Sequence, residues 1–114
     1  LIATNTTISP KTLKKTTNFE GGLSGKPLFK LSNNILKLLA KRKNASTTLI
    51  GVGGIFSATD IYEKIRMGAS AVQIYTSFVY YGPMHITKME TELKNLLIND
   101  GYASIDRAIG ASIR

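Results

Sequence analysis

The stretch Leu-Ile-Gly-Val-Gly-Gly-Ile-Phe-Ser, residues 49–57, decides the fold. A short apolar run ends in two glycines, Gly53 and Gly54, and a polar segment begins at Ser57. An apolar run of this length beside glycine is typical of a buried parallel strand. The Ser-Ala-Thr-Asp sequence of residues 57–60 has the character of a helix N-terminus. The stretch therefore predicts a strand that turns directly into a helix, which is the repeating unit of parallel α/β folds.

Similar segments lie on both sides of this unit. Apolar or β-branched runs predict three strands, at residues 1–7, 48–52 and 71–78. Apolar residues at helical spacing predict four helices, at residues 31–43, 57–67, 87–99 and 104–109. The apolar side of the first helix comprises Leu31, Ile35, Leu38 and Leu39. Two architectures fit: an open doubly wound sheet, or part of a (β/α)₈ barrel, which needs about 250 residues when whole.

Polar or glycine-rich residues follow each predicted strand, where ligands bind in both architectures. The Thr-Asn-Thr-Thr sequence of residues 4–7 can offer uncharged donors and acceptors to a planar heterocycle. A polar turn that bonds its own backbone is the alternative. Gly53 and Gly54 precede a helix and predict a phosphate site, although a tight turn explains them as well.

The third strand ends in Gln-Ile-Tyr-Thr-Ser, residues 73–77, and should lie beside the Gly53–Gly54 turn because consecutive parallel strands are usually neighbours. The loops after strands seven and eight form the recurrent phosphate site of (β/α)₈ barrels. Two such strand ends followed only by closing helices match those positions. The favoured fold class is therefore α/β, comprising the last three β/α units of a (β/α)₈ TIM barrel.

Catalytic candidates are few. Three glycines within residues 20–28 predict either backbone that runs close to a ligand or a flexible loop. Glu20 is the one acid near a predicted strand end, and His85 is expected to be a surface or cap residue. With one histidine and no cysteine, neither a Ser-His-Asp arrangement nor a metal site can be assembled. The sequence offers binding groups but no general base.

The composition narrows the class of protein further. The 114 residues are 43% hydrophobic, enough for one domain, and the absence of cysteine excludes disulfides and thiolate chemistry. The net charge is +8, but aromatic residues do not interleave with the basic clusters, so we expect no nucleic-acid partner. These clusters are Lys37, Lys41, Arg42 and Lys43 near a helix end and Lys11, Lys14 and Lys15 in a loop. No apolar run approaches the roughly 18 residues of a membrane span. The first residues resemble neither a signal peptide nor a natural N-terminus.

Several segments, taken in order, resemble the quinone-dependent (class 2) dihydroorotate dehydrogenases along nearly the whole chain. They are LIATNTT (1–7), GGLSGKPL (21–28), IGVGGI (50–55), EKIRMGAS (63–70), VQIYT (72–76), GP (82–83) and AIGA (108–111). The chain resembles the C-terminal portion of such an enzyme. Local departures are Pro10 after Ser9, where relatives commonly carry Arg, and the unusually basic helix from Leu31.

The resemblance implies a (β/α)₈ barrel that binds FMN and oxidises dihydroorotate to orotate, with quinone as acceptor, in pyrimidine biosynthesis. Residues 1–114 would form the C-terminal part of a single FMN-binding barrel domain. Asn5 and Thr6 match pyrimidine-contacting positions and Thr4 a flavin-contacting one. Positions that hold FMN are matched by Gly25, Gly54, Tyr75 and Thr76, the last three around its phosphate.

The same resemblance places the family's catalytic serine on an earlier loop, outside this chain. No catalytic residue is therefore assigned, and Ser24 is not a candidate for that role. The family's N-terminal helices, which form the quinone tunnel and touch the membrane, also lie outside it. We expect peripheral membrane association of the intact enzyme through that segment, and a soluble or cytoplasmic chain when it is alone.

Three hypotheses about function stay open. The chain is part of an active oxidoreductase, or it is a truncated or split-gene remnant that is inactive alone because the upstream serine region is absent. A small basic interaction module, the third, has little support from the sequence.

Overall fold

A computed structural model of the chain describes residues 1–8 and 20–114. Within them three parallel strands form one sheet in the order β1 (Ile2–Ala3), β2 (Ile50–Val52) and β3 (Ala71–Gln73). In the register, Ile50 of β2 pairs with Ile2 on one side and with Ala71 on the other. The predicted loop cluster at Lys11, Lys14 and Lys15 and the departure at Ser9 and Pro10 lie outside the described residues.

Helices alternate with the strands, as the sequence predicts. A 3-10 turn, Lys26–Leu28, leads into α1 (Phe29–Arg42), and α2 (Ala58–Arg66) connects β2 to β3. After β3 come α3 (Thr76–Tyr81), α4 (Met84–Asn99) and α5 (Ile105–Ala108). The fold is that of three consecutive β/α units with closing helices.

The strand that decides the fold turns into its helix where the sequence predicts. Ser57 is the N-cap of α2, and its side chain accepts a hydrogen bond from the Asp60 amide at 3.2 Å. The Asp60 side chain accepts from the Phe56 amide at 2.9 Å and thereby caps the same turn. Gly68, with φ of 108°, ends the helix in a conformation that glycine favours. The β2–α2 connection is thus fixed by short-range chemistry.

The main core lies between α2, α4 and α5. Its buried members are Ile55, Ala58, Ile61, Tyr62, Ile65, Met89 and Ala108. Ile61 and Ile65 of α2 are among these residues, and Leu93, Leu96 and Leu97 of α4 pack against them. A smaller cluster of Leu36, Leu49 and Ala69 joins α1 to the sheet.

Three predictions about the elements were wrong. The first strand was predicted to run through residue 7, but β1 ends at Ala3. The third strand ends at Gln73, and residues 76–81 are helical although a strand was predicted through residue 78. The helix α1 does not bury the side chains predicted for its apolar face: Leu31, Ile35 and Leu38 are exposed. Ser32, Asn33 and Leu36 are buried in their place. Ser32 and Asn33 bond a buried lysine of α2, as described below.

Candidate functional site

A cleft of about 210 Å³ opens where the three strands end. Its polar and glycine lining comes from the end of β1, the loop before α1, the β2–α2 turn and the end of β3. The lining residues are Thr4, Asn5, Thr6, Ser24, Gly25, Leu28, Val52, Gly53, Gly54, Ile55, Phe56, Gln73, Ile74, Tyr75 and Thr76. All seven of the predicted ligand positions, Thr4, Asn5, Thr6, Gly25, Gly54, Tyr75 and Thr76, are among them. The sheet therefore brings together residues that lie far apart in the chain.

The β1 wall of the cleft is polar and uncharged. The Thr4 amide donates to the Val52 carbonyl at 3.2 Å, which continues the β1–β2 pairing past Ala3. Asn5 Oδ1 accepts from the Thr6 amide at 2.7 Å, so this side chain bonds the adjacent backbone, although residues 4–6 form no turn. The Thr4 hydroxyl oxygen, by contrast, is buried without a hydrogen-bond partner among the described residues. A buried hydroxyl that lacks a partner is costly and indicates a group that the cleft is built to receive.

The loop before α1 covers this wall closely. A Cβ on Gly22 would overlap the Thr6 side chain, so a larger residue there would force Thr6 or the loop to shift. At the other end of the loop, Thr76 Oγ1 donates to Ser24 Oγ at 3.1 Å. The loop that the sequence left as either functional or flexible thus has defined contacts with two strand ends.

The β2–α2 turn needs glycine for two separate reasons. Gly54 has φ of 74°, in the left-handed region that other residues rarely adopt. A Cβ on Gly54 would also lie 2.6 Å from backbone atoms of Phe29. The turn is therefore held against the start of α1, with its backbone on the cleft side open to a ligand.

The cleft carries no charged side chain among its described lining residues. The nearest well-placed cation, Lys26, donates from Nζ to both oxygens of Asp60, at 2.8 and 2.6 Å. An anion here would be bound by backbone amides and hydroxyl groups, which is how glycine turns at helix N-termini bind phosphate.

Other candidates lie away from the cleft lining. His85, predicted to be a surface or cap residue, is half-buried in the first turn of α4, and its Nε2 is 3.0 Å from the Phe56 carbonyl oxygen. Glu20 is exposed. Among residues 1–8 and 20–114, no three His, Asp or Glu side chains are grouped as a metal ion would require. No helix of that part of the chain is long and apolar enough to cross a membrane.

Sequence reasoning missed two features of the site. The ring of Phe56 lines the cleft directly after the glycine turn, and its position next to Gly54 and Ile55 was the available signal. The buried network of Ser32, Asn33 and Lys64 behind the turn had no signal in the periodicity, because its partners come from different elements.

The fold and the cleft define a class: the C-terminal part of a (β/α)₈ barrel with an uncharged ligand site at its strand ends. The family model described as dihydroorotate dehydrogenase matches residues 1–97. The chain belongs to the dihydroorotate dehydrogenase family, whose members are oxidoreductases.

Individual relatives agree with this family. The chain is 44% identical over 117 residues to a mitochondrial dihydroorotate dehydrogenase (quinone) of Oryza sativa subsp. japonica. This match covers 100% of the present chain and 25% of the rice protein. It is 42% identical over 114 residues to a dihydroorotate dehydrogenase (quinone) of Myxococcus xanthus, a match that covers 100% of the present chain and 31% of that relative. The chain thus spans about a quarter to a third of the length of these relatives. The predicted resemblance to a C-terminal portion is confirmed.

Solved structures show the same barrel portion. A ligand-free DHODH of Eimeria tenella matches with a TM-score of 0.91 and 38% identity, over 99% of this chain and 32% of the other. A DHODH of Eimeria tenella in complex with ferulenol matches with a TM-score of 0.91 and 40% identity, over 99% of this chain and 30% of the other. The three β/α units correspond to about a third of each of these TIM-barrel chains.

Proposed function

We propose that this chain contributes the FMN phosphate site and one wall of the pyrimidine pocket to a quinone-dependent dihydroorotate dehydrogenase. Its reaction would be the oxidation of dihydroorotate to orotate in pyrimidine biosynthesis. The observation that carries the proposal is the gathering of Thr4, Gly54 and Thr76 around one uncharged cleft at the strand ends. Family membership supplies the reaction class, since curated relatives carry the name dihydroorotate dehydrogenase (quinone).

The residues fit FMN on two structural grounds. Gly53 and Gly54 line the cleft with backbone alone, just before the start of α2, so no side chain of the turn keeps a phosphate from the amides. The buried Thr4 hydroxyl lacks a partner that a polar ring edge could supply. Gly25, Tyr75 and Thr76 would complete the cofactor contacts, and Asn5 and Thr6 would face the pyrimidine. When bound, FMN would supply the hydride-accepting ring.

This part of the chain binds and orients rather than moving protons. Thr4 and Thr6 have hydroxyls that neither gain nor lose a charge near neutral pH. The described cleft lining contains no His, Asp, Glu or Lys that could act as a general base. The base must come from the rest of the barrel, as the family resemblance implies. Residues 1–114 alone should therefore show no turnover.

The test compares FMN with riboflavin, which lacks the phosphate, on the purified full-length polypeptide that contains residues 1–114. We expect wild type to bind FMN at least about tenfold more tightly than riboflavin, because the phosphate gains charge-assisted hydrogen bonds. Gly54→Ala should abolish this preference. Fluorescence quenching of the free flavin measures both affinities.

Gly101→Ala is the matched control. Gly101 has φ of 77°, close to that of Gly54, but a Cβ there would meet nothing within 4 Å. Because the two substitutions carry similar backbone strain, that strain alone would affect both variants. Only Gly54→Ala should lose the preference for FMN over riboflavin. Equal loss in both variants, or equal binding of FMN and riboflavin by wild type, would contradict the proposed phosphate site.

A further inference from the structure

The side of α1 that faces the sheet is polar at its N-terminal end. Ser32 and Asn33 are 0% and 4% exposed, and Lys64 of α2, opposite them, is 0% exposed. No carboxylate of the described residues forms an ion pair with Lys64. Burial of a lysine without an ion-pair partner costs free energy, which its hydrogen bonds must offset.

The hydrogen bonds of Lys64 lead from α2 to α1. Nζ donates to Ser32 Oγ at 2.9 Å and to Asn33 Oδ1 at 2.7 Å. Asn33 in turn donates from Nδ2 to Glu63 Oε1 at 3.0 Å, which fixes the orientation of its amide. The Phe29 ring lies over the ammonium, with its centroid 5.1 Å from Nζ. The lysine is thus held at several points.

From Ser32 the network reaches the glycine turn of the cleft. Because Ser32 Oγ accepts from Lys64, its one hydrogen is left to donate, and the Gly53 carbonyl lies 3.1 Å away. The Phe29 carbonyl, at 2.9 Å, is the other acceptor within reach. A Cβ on Gly53 would lie 3.0 Å from Ser32 Cβ, so Ser32 packs directly against the turn. The first turn of α1 therefore backs both Gly53 and Gly54.

We propose that Lys64 is a positioning residue for the ligand-binding turn: through the Ser32 hydroxyl it fixes the Gly53 carbonyl, and with it the direction of the amides that follow. The proposal rests on the proposed function of the cleft as a phosphate site. Lys64 itself lies outside the cleft lining and would touch no ligand. A purely structural lysine would hold α1 to α2 without influence on the turn.

The first measurement needs no flavin. Hydrogen exchange, followed by mass spectrometry on the full-length polypeptide, reports the opening of the segment that contains Gly53 and Gly54. Lys64→Met and Ser32→Ala should each speed exchange in that segment by about tenfold, the loss that corresponds to one hydrogen bond. Tyr62→Phe is the control, since it removes the hydrogen bond from the same helix to Asp100, outside the cleft lining. It should leave exchange at the turn unchanged.

The second measurement is the ratio of FMN to riboflavin affinity in the same variants. Lys64→Met and Ser32→Ala should each lower the ratio by about tenfold, and the double variant should lower it no further, because both act through one hydroxyl. Unchanged exchange and an unchanged ratio in both single variants would overturn the positioning role. Failure of wild type to prefer FMN would instead overturn the proposed function, and the exchange result would still decide whether Lys64 positions the turn.

Discussion

At the residue scale, three residues of the site have features that the stability of the fold does not explain. The Thr4 hydroxyl is buried without a partner, Gly54 has a positive φ, and Lys64 is a buried cation. The unpaired hydroxyl and the buried ammonium each cost stability in isolation, the φ of Gly54 disfavours any other residue there, and all three lie in the cleft or behind it. Such costs are typical of functional sites, where local rules give way to binding.

Replacement of Thr4 tests whether its hydroxyl serves the fold or a ligand. Thr4→Val keeps the shape and removes an unpaired buried hydroxyl, so we expect the free energy of unfolding without ligand to stay equal or rise by about 1 kcal/mol. Thr76→Val is the comparison, because it removes a hydroxyl that donates to Ser24 Oγ. It should lower stability. Chemical denaturation of the full-length polypeptide measures both, and a clear loss of stability in Thr4→Val would show that the hydroxyl has a structural partner.

The protonation of Lys64 makes stability depend on pH in a defined direction. Burial lowers its pKa from the ordinary 10.5 to about 8, with Glu63 and Asp60 opposing the shift. Between these two values the unfolded chain holds a proton that the folded chain has lost. The free energy of unfolding should therefore rise with pH, by at most about 1.4 kcal/mol per pH unit.

Lys64→Met isolates this contribution. The pKa of Tyr62 is raised to about 12 by burial and by its hydrogen bond to Asp100, so tyrosine ionisation acts in the opposite sense above pH 10. The difference between wild type and Lys64→Met cancels that effect. A difference that does not change between pH 8 and pH 10 would mean that Lys64 keeps an ordinary pKa.

At the scale of elements, the β2–α2 unit was predictable and its neighbours were less so. Gly53, Gly54 and Ser57 act on their own backbone, so their local sequence suffices. The end of β3 was missed because Tyr75, Phe78 and Val79 favour strands, whereas the chain turns into α3 there. The buried face of α1 depends on Lys64, which is 32 residues from Ser32 in the chain, and no periodicity could report it.

At the start of α2, the stability of the fold should depend strongly on one carboxylate, that of Asp60. Asp60 is buried and accepts from the Phe56 amide and from Lys26, so Asp60→Ala leaves a partly buried amide without its acceptor. We expect a loss of about 2 kcal/mol in the free energy of unfolding. Lys26→Met should cost less than about 1 kcal/mol, because the Lys26 side chain is 56% exposed. Equal losses in thermal or chemical melts would indicate that the ion pair, and not the cap, stabilises the turn.

At the scale of the whole molecule, the described chain shows apolar surface that a full barrel would cover. Leu1 and Ile2 at the β1 edge are 61% and 63% exposed, and Val79 and Tyr80 of α3 are 68% and 74% exposed. The sheet order leaves β1 and β3 each with one edge that no described strand pairs. These exposed edges are the ones that further strands pair with in a closed barrel.

Residues 1–114 expressed alone should therefore associate. Unpaired strand edges recruit other chains, so we expect oligomers or aggregates in sedimentation velocity. Ile2→Lys places a charge at the exposed β1 edge and should reduce the association. A monomeric chain with a sharp, cooperative melt would contradict this expectation.

The central claim is that this chain completes a flavin site at which dihydroorotate is oxidised. The most direct measurement is the visible spectrum of the full-length polypeptide that contains residues 1–114, recorded without oxygen before and after dihydroorotate is added. We expect one bound FMN per polypeptide, bleaching on addition of dihydroorotate, and no bleaching with residues 1–114 alone. Two results would contradict the account and favour an inactive remnant: a full-length polypeptide that binds no flavin, or bound flavin that stays oxidised after dihydroorotate is added.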